Sequence, residues 1–222
     1  MTVDIARLID STLLRPEATE AEIVRLCEEA LEYGFAAVCV NSCYAGTVGR
    51  LLAGSNVKTC VVVGFPLGAA STEAKVCEAG YALEAGAEEV DMVMNVGALK
   101  SGQPLRVEDD IRAVVEQCVG QALVKVILEC CLLSDSEKVD ACSIAVAAGA
   151  DFVKTSTGFG SGGATAHDVK LMKDAVSGRA RAKASGGIRD LETAIKMIDA
   201  GADRLGTSNG ASIVDEARRR GV

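Results

Sequence analysis

AAGADFVKTS, residues 147–156, decides the fold. A helix-like run ends in small residues and Gly149, and a β-favouring run begins at once. Glycine suits the left-handed position that closes a helix, and a strand directly beyond it is a short αβ connection. The same punctuation recurs in EYGFAAVCV (32–40), EAGAEEVDMVM (84–94) and DAGADRLGTS (199–208), around Gly34, Gly86 and Gly201. Between these lie other β-rich runs: RLIDSTLL (7–14), NVKTCVVVGFP (56–66), ALVKVILEC (122–130) and RAKAS (181–185). The strand candidates are therefore 8–14, 36–41, 57–64, 88–95, 123–130, 151–156, 181–185 and 203–207. Segments with apolar spacing near 3.6 separate them, such as TEAEIVRLCEEALEYG and SEKVDACSIAVAAG. Thr19 and Ser134 are predicted N-caps, each with a glutamate three residues on, Glu22 and Glu137.

Strand–helix alternation means parallel strands. Eight units in 222 residues predict a closed (β/α)8 barrel, a TIM barrel, as one domain over residues 1–222. An open doubly wound sheet is the alternative; no G-x-G-x-x-G follows the first strand, which argues against it. No linker or shift of composition divides the chain.

The bulk composition narrows the function. Apolar residues make up 49 %, enough for a sizeable core without staples. A net charge of −8, no basic run, no Trp and three Tyr disfavour nucleic acid as a partner. The longest apolar runs fall far short of a membrane span. Nine cysteines, an odd number without any CxxC pair, sit mostly in apolar runs; with no signal peptide read at the start, free thiols in a reducing cytoplasm are expected. The one histidine, His167, lies in ATAHDVK at a predicted helix start and is expected to be exposed or capping. A catalytic zinc draws on more His or Cys–His pairs than that, so no metal site is expected.

Alternation sorts the strand residues by face. The outer face of a barrel packs on helices and must be apolar. Val124, Val126 and Leu128 then face outward, with Lys125, Ile127 and Glu129 inward. Val90, Met92 and Met94 oppose Asp91; Val153 opposes Lys154; Ala182 and Ala184 oppose Lys183. Asp91, Lys125, Glu129, Lys154 and Lys183 are thus predicted to share the barrel interior. A purely structural ion network is one reading, although buried charge is a poor source of stability. The other is chemical. A lysine beside another ammonium loses its proton more readily, and a neutral amine attacks carbonyl carbon to form a Schiff base.

Three glycine-rich loops follow strands six, seven and eight: STGFGSGG, ASGGIRD and LGTSNGAS. Phosphate sits at the loops after strands seven and eight in many such barrels. Gly186 and Gly187 permit close backbone approach, and Ser208 and Asn209 add donors.

KTSTGF, KASGGIRD and EEVDMVMN, with IDSTLLRPEAT, AAVCVN, VVVGFPLGA, VKVILE and RLGTSNG, resemble the deoxyribose-phosphate aldolase family over nearly the whole chain. The resemblance implies a metal-free, cofactor-free class I aldolase cleaving 2-deoxy-D-ribose 5-phosphate reversibly to D-glyceraldehyde 3-phosphate and acetaldehyde. It implies Lys154 as the Schiff-base lysine, Lys183 as the lysine that tunes it, and Asp91 as the proton-relay aspartate. Gly158, Gly186, Gly187, Gly206 and Ser208 match its phosphate-binding segments, and Asp10 and Lys125 further polar residues of the pocket. On this reading the iminium draws electrons from the C3–C4 bond while a base deprotonates the C4 hydroxyl. The chain has Ser11 where many members carry histidine, Asn209 where many carry a second serine, and Ser42 where proline is frequent. The loop at Ser42 is expected to be looser for that. The partner implied is a small phosphorylated sugar or aldehyde, and a homodimer is common among such barrels. Two alternatives stand beside this reading: another lysine-dependent phosphosugar aldolase or isomerase, and a non-catalytic barrel that binds phosphorylated metabolites.

Overall fold

The computed structural model describes residues 4–221; residues 1–3 and 222, inside the expected 1–222 domain, lie outside the described residues. In chain order the elements are β1 (Ile9–Leu13), α1 (Glu20–Tyr33), β2 (Ala37–Val40), α2 (Ala45–Leu51), β3 (Lys58–Val63), α3 (Thr72–Glu84), β4 (Glu89–Val93), α4 (Val96–Lys100) and α5 (Pro104–Cys118). They continue with β5 (Leu123–Ile127), α6 (Asp135–Ala147), β6 (Phe152–Lys154), α7 (Ala166–Val176), β7 (Arg181–Ser185), α8 (Leu191–Asp199), β8 (Arg204–Thr207) and α9 (Gly210–Arg220). The eight strands form one closed parallel barrel in sequence order, with β8 returning to β1 through Ile9↔Leu205 and Asp10↔Gly206.

The helix ends are set as their residues dictate. Gly34, Gly86, Gly149 and Gly201 have φ of 69°, 98°, 92° and 105°, a region that side chains with a Cβ disfavour. Each one turns the chain from helix into strand. At the other end of α6, the Ser134 backbone donates to Glu137 (2.7 Å) and its hydroxyl accepts from the Glu137 backbone (3.4 Å), a reciprocal cap. The Thr19 backbone donates to Glu22 at 2.8 Å ahead of α1.

The outward strand residues form the main core. Val90, Met92, Met94, Val124, Val126, Leu128 and Val153 are all buried against the helix layer. Inside the barrel, Ala37, Cys39, Cys60 and Val62 fill the β2–β3 side with apolar groups. The charged groups occupy the remainder.

Two expectations need correction. Most strands are shorter than predicted: β5 stops at Ile127 and β6 at Lys154. Glu129 therefore lies beyond β5, with φ 55°, and does not join the interior lysines. Its buried carboxylate instead accepts from the Thr157 backbone (3.4 Å) and hydroxyl, pinning the loop after β6. Alternation cannot carry a residue inward once the strand that enforces it has ended. Ser42 is also not loose: its hydroxyl donates to Glu78 on α3 at 2.8 Å, and Glu78 accepts from the Gly64 backbone as well.

Candidate active site

Lys154 ends β6 with its side chain only 2 % exposed. Its ammonium rests 2.7 Å from Asp91 Oδ2, and Lys183, in the middle of β7, lies 2.7 Å from the same oxygen. Asp91 Oδ1 accepts from Lys125 at 2.7 Å. Strand register explains the convergence, since Asp91 pairs with Lys125 across β4–β5 and Lys154 with Lys183 across β6–β7. Asp10, on β1, faces Lys183 with one oxygen and accepts from Arg204 Nε at 2.7 Å with the other. Gly206 makes this possible: a Cβ there would stand 3.2 Å from Lys183 Cε and 2.9 Å from the Ser185 Cβ.

Two charged residues of this cluster were missed in the sequence. Glu89 pairs with Lys125 at 2.6 Å, and Arg204 donates to Glu89 at 3.0 Å. Both could have been found by the alternation rule, because Glu89 is two residues before Asp91 and Arg204 two before Gly206.

Burial opposes charge on Asp10, Asp91, Lys125, Lys183 and Arg204, but ion pairing outweighs it. Asp91 is held well below the usual carboxylate range by Lys125, Lys154 and Lys183. Asp10 is lowered to about 2 by Lys183, Arg204 and Lys125. Lys125 and Lys183 are raised, Lys125 chiefly by Asp91 and Lys183 by Asp10 and then Asp91. Four cations (Lys125, Lys154, Lys183, Arg204) meet three carboxylates (Asp10, Glu89, Asp91), so the cluster carries one positive charge when every group is ionised.

Above the cluster, at the C-terminal ends of β1, β6, β7 and β8, a mouth of about 370 Å³ opens. Among the interior lysines only Lys154 lines it. Gly158, Gly186, Gly187, Gly206 and Ser208 line it too; Asp10, Asp91, Lys125 and Lys183 lie beneath. The loops after β6 and β7 touch backbone to backbone, with Ala164 N donating to Gly186 O at 2.9 Å. Asn209 stands back from the mouth, its amide donating to Arg189 O at 3.3 Å and its Oδ1 accepting from Ser208. It is the first-turn boundary of α9, whose N-terminus has no side-chain cap. The N-terminus of α8, by contrast, is already capped by Asp190 on Thr193 N. Arg189 and Arg15 also line the mouth and were not singled out in the sequence. Arg15 is engaged by Glu17 and Glu22. Arg189 is exposed, and no ion pair engages it among the described residues.

His167 lies in the first turn of α7, mostly exposed, and meets Asp135 at 2.8 Å. Asp135 and Asp168 beside it are paired with Lys138. Cys39 and Cys60 approach Asp91, whose oxygens already face three ammonium groups. In both places lysine supplies the positive charge that a cation would bring.

The chain is similar to known proteins over nearly its whole length. The family model described as DeoC/LacD family aldolase matches residues 5–215. A deoxyribose-phosphate aldolase of Geobacillus sp. (strain WCH70) is 59 % identical over 215 residues, 97 % of this chain and 96 % of that protein. The crystal structure of a putative deoxyribose-phosphate aldolase from Coccidioides immitis superposes with a TM-score of 0.95 at 45 % identity, covering 97 % of this chain and 86 % of that one. A deoxyribose phosphate aldolase from Aeropyrum pernix, described as a unique tetramer, gives 0.90 at 38 % identity over 98 % and 92 %.

Proposed function

The chain belongs to the DeoC/LacD family of aldolases, and from that premise we propose that it cleaves 2-deoxy-D-ribose 5-phosphate, reversibly, through a Schiff base on Lys154. The observation that carries this reading is the place of one amine: Lys154 alone of the interior lysines reaches the mouth, and it rests on a carboxylate that it shares with Lys183. Lys125 and Lys183 each touch at least two carboxylates, while Lys154 touches Asp91 only. Giving up a proton therefore costs Lys154 the least ion pairing, and it brings the cluster to neutrality.

The free amine adds to C1 of the open-chain sugar, and the carbinolamine loses water to give an iminium. Carbon counting corrects the bond expected to break. Acetaldehyde keeps two carbons and glyceraldehyde 3-phosphate three, so the bond is C2–C3 and the proton leaves the C3 hydroxyl. The C2–C3 electron pair moves into the iminium to form an enamine, and C3 becomes the aldehyde of the departing product. Protonation at C2 and hydrolysis then release acetaldehyde and restore the amine. Asp91, kept ionised by its lysines, stabilises the cationic iminium. Asp91 and Lys183, with a water, carry the protons. At the other end, the backbone around Gly158, Gly186, Gly187 and Gly206, Ser208, the free first turn of α9 and the unengaged Arg189 receive the phosphate.

Borohydride reduction in the presence of acetaldehyde, followed by peptide mass spectrometry, tests the assignment. The expected result is an ethyl group on Lys154 and none in Lys154→Ala; modification of another lysine, or none, would overturn it.

All nine cysteines are free, and no described helix is long and apolar enough to cross a membrane. The free thiols support a reducing, cytoplasmic setting for one catalytic domain acting on a phosphorylated small molecule. A homodimer is the assembly we propose, although the Aeropyrum pernix relative is described as tetrameric; light scattering distinguishes the two.

A further inference from the structure

Six charged side chains close a ring inside the barrel. Arg204 Nε donates to Asp10 Oδ1 at 2.7 Å, and Asp10 Oδ2 faces the Lys183 ammonium. Lys183 donates to Asp91 Oδ2 at 2.7 Å, and Asp91 Oδ1 accepts from Lys125 at 2.7 Å. Lys125 meets Glu89 Oε2 at 2.6 Å, and Glu89 accepts from Arg204 at 3.0 Å, completing the circuit. Cations and carboxylates alternate, so the ring is neutral when fully ionised. Lys154 is the seventh group, attached from outside through Asp91. Glu89 and Arg204 stand on the side of the ring away from the substrate mouth: neither lines it, and Glu89 lines a separate cleft at the N-terminal ends of the strands.

We propose that Arg204 and Glu89 are positioning residues for the Schiff-base chemistry, setting the net charge of the ring against which Lys154 gives up its proton. This rests on Lys154 being the Schiff-base amine. A buried charge is poorly screened, so a unit change at the far side of the ring is felt at Lys154. Without Arg204 the ring is net negative and holds the Lys154 proton to higher pH. Without the Glu89 charge it is net positive and releases that proton at lower pH. The other groups around Lys154 are constant in this comparison. Asp91 (β4), Lys183 (β7), Lys125 (β5) and Asp10 (β1) belong to the ring, and the thiols of Cys39 (β2) and Cys60 (β3) lie beside Asp91. Glu129 is engaged by Thr157, and Arg15 and Arg189 stand at the mouth.

The rate of reductive trapping of acetaldehyde on the full-length protein, followed against pH, tests this. Arg204→Met should raise the pH of half-maximal trapping by roughly half a unit to one unit, and Glu89→Gln should lower it by a similar amount. The double variant restores neutrality and should return the profile close to that of the parent, as should Arg204→Lys. KM for acetaldehyde on the alkaline plateau, where Lys154 is fully deprotonated in every variant, should stay unchanged, since neither side chain touches substrate. A residue that merely holds the fold together predicts slower trapping in both single variants with no opposed shifts; that result, or shifts of the same sign, overturns the proposal. Should Arg204→Met fail to fold, the isosteric Glu89→Gln decides alone by the presence or absence of its downward shift. Absence of an adduct on Lys154 in the parent protein would instead overturn the assignment of the nucleophile, a distinguishable failure.

Discussion

Lys183 and Lys154 differ in what surrounds them, although both reach the same oxygen of Asp91. Lys183 is wedged between Asp10 and Asp91, and those carboxylates raise it against the opposing effect of burial. It therefore stays an ammonium through the neutral range, a fixed positive charge beside the amine proposed to lose one. An ammonium neighbour and an inward Asp91 are legible in the alternation of RAKAS, DFVKTS and EEVDMVMN; that Asp91 Oδ2 stands between the two lysines is not, because β4 lies some sixty residues before β6 in the chain. Replacing the charge with a similar volume isolates its effect. In Lys183→Leu, Asp91 Oδ2 keeps Lys154 as its sole cation, and the ring becomes net negative. The acid limb of the pH–rate profile should move upward by about one unit, with a lower maximal rate because the proposed proton carrier is also lost. An unshifted acid limb would show that Lys183 acts only on later proton transfers.

The elements are held in place by a second buried pair that the mechanism does not use. Lys75 on α3 is fully buried, donating to Asp110 on α5 at 2.6 Å and to the carbonyl of Val93, at the end of β4, at 3.0 Å. Thr72 completes the coordination of Asp110 at 2.8 Å. Gly64, after β3, leaves the lysine stem its path: a Cβ there would lie 2.9 Å from Lys75 Cε. One ammonium thus ties two helices to the strand that carries Asp91. Lys75→Met should cost about 3–5 kcal/mol, because Asp110 is left buried without its partner, and Lys75→Met with Asp110→Leu should recover most of it. Urea midpoints measure both, and equal losses in the single and double variants would count against a paired role. At this scale the sequence was readable where local chemistry sets the outcome. Glycines at helix ends and reciprocal caps marked where strands and helices begin. It was opaque where long-range pairing does so. VMN and LEC keep alternating past Val93 and Ile127, and Leu128 and Cys130 still donate to the backbone of Lys154 and Thr155 at 2.9 Å, but Glu129 between them has turned to φ 55° and left the pleat. Glu129 was misplaced for that reason. Lys75 itself sits in a helix whose polar pattern gives no hint that an ammonium is buried.

Across the whole molecule, closing the barrel and assembling the charge ring are the same event. β1 meets β8 along Ile9↔Leu205 to Ser11↔Thr207, and the Asp10–Arg204 pair bridges that seam from inside. Protonating Asp10 therefore weakens both. Asp10 falls from 3.8 to about 2 in the folded chain, and Asp91 is depressed as well. A carboxylate whose folded value is depressed contributes stability that is complete above its unfolded value and is lost as pH falls through the folded one. For Asp10 that window runs from about pH 4 down to about pH 2, and the shift corresponds to about 2 kcal/mol. Lys125 and Lys183 have raised values, so their contribution is constant throughout this window and is lost only in strong alkali. Stability should consequently fall steeply between pH 4 and pH 2. Half-buried carboxylates such as Glu22 and Glu137 are also lowered and share the slope, so the informative quantity is a difference between proteins. Asp10→Asn cannot titrate at this position: it should be less stable than the parent at pH 6, with the gap narrowing as both are taken to pH 2. Urea midpoints of the two proteins at matched pH give that gap directly. A gap that stays constant across the window would mean that Asp10 and the barrel seam do not titrate together, and the ring would then be a passenger in barrel closure.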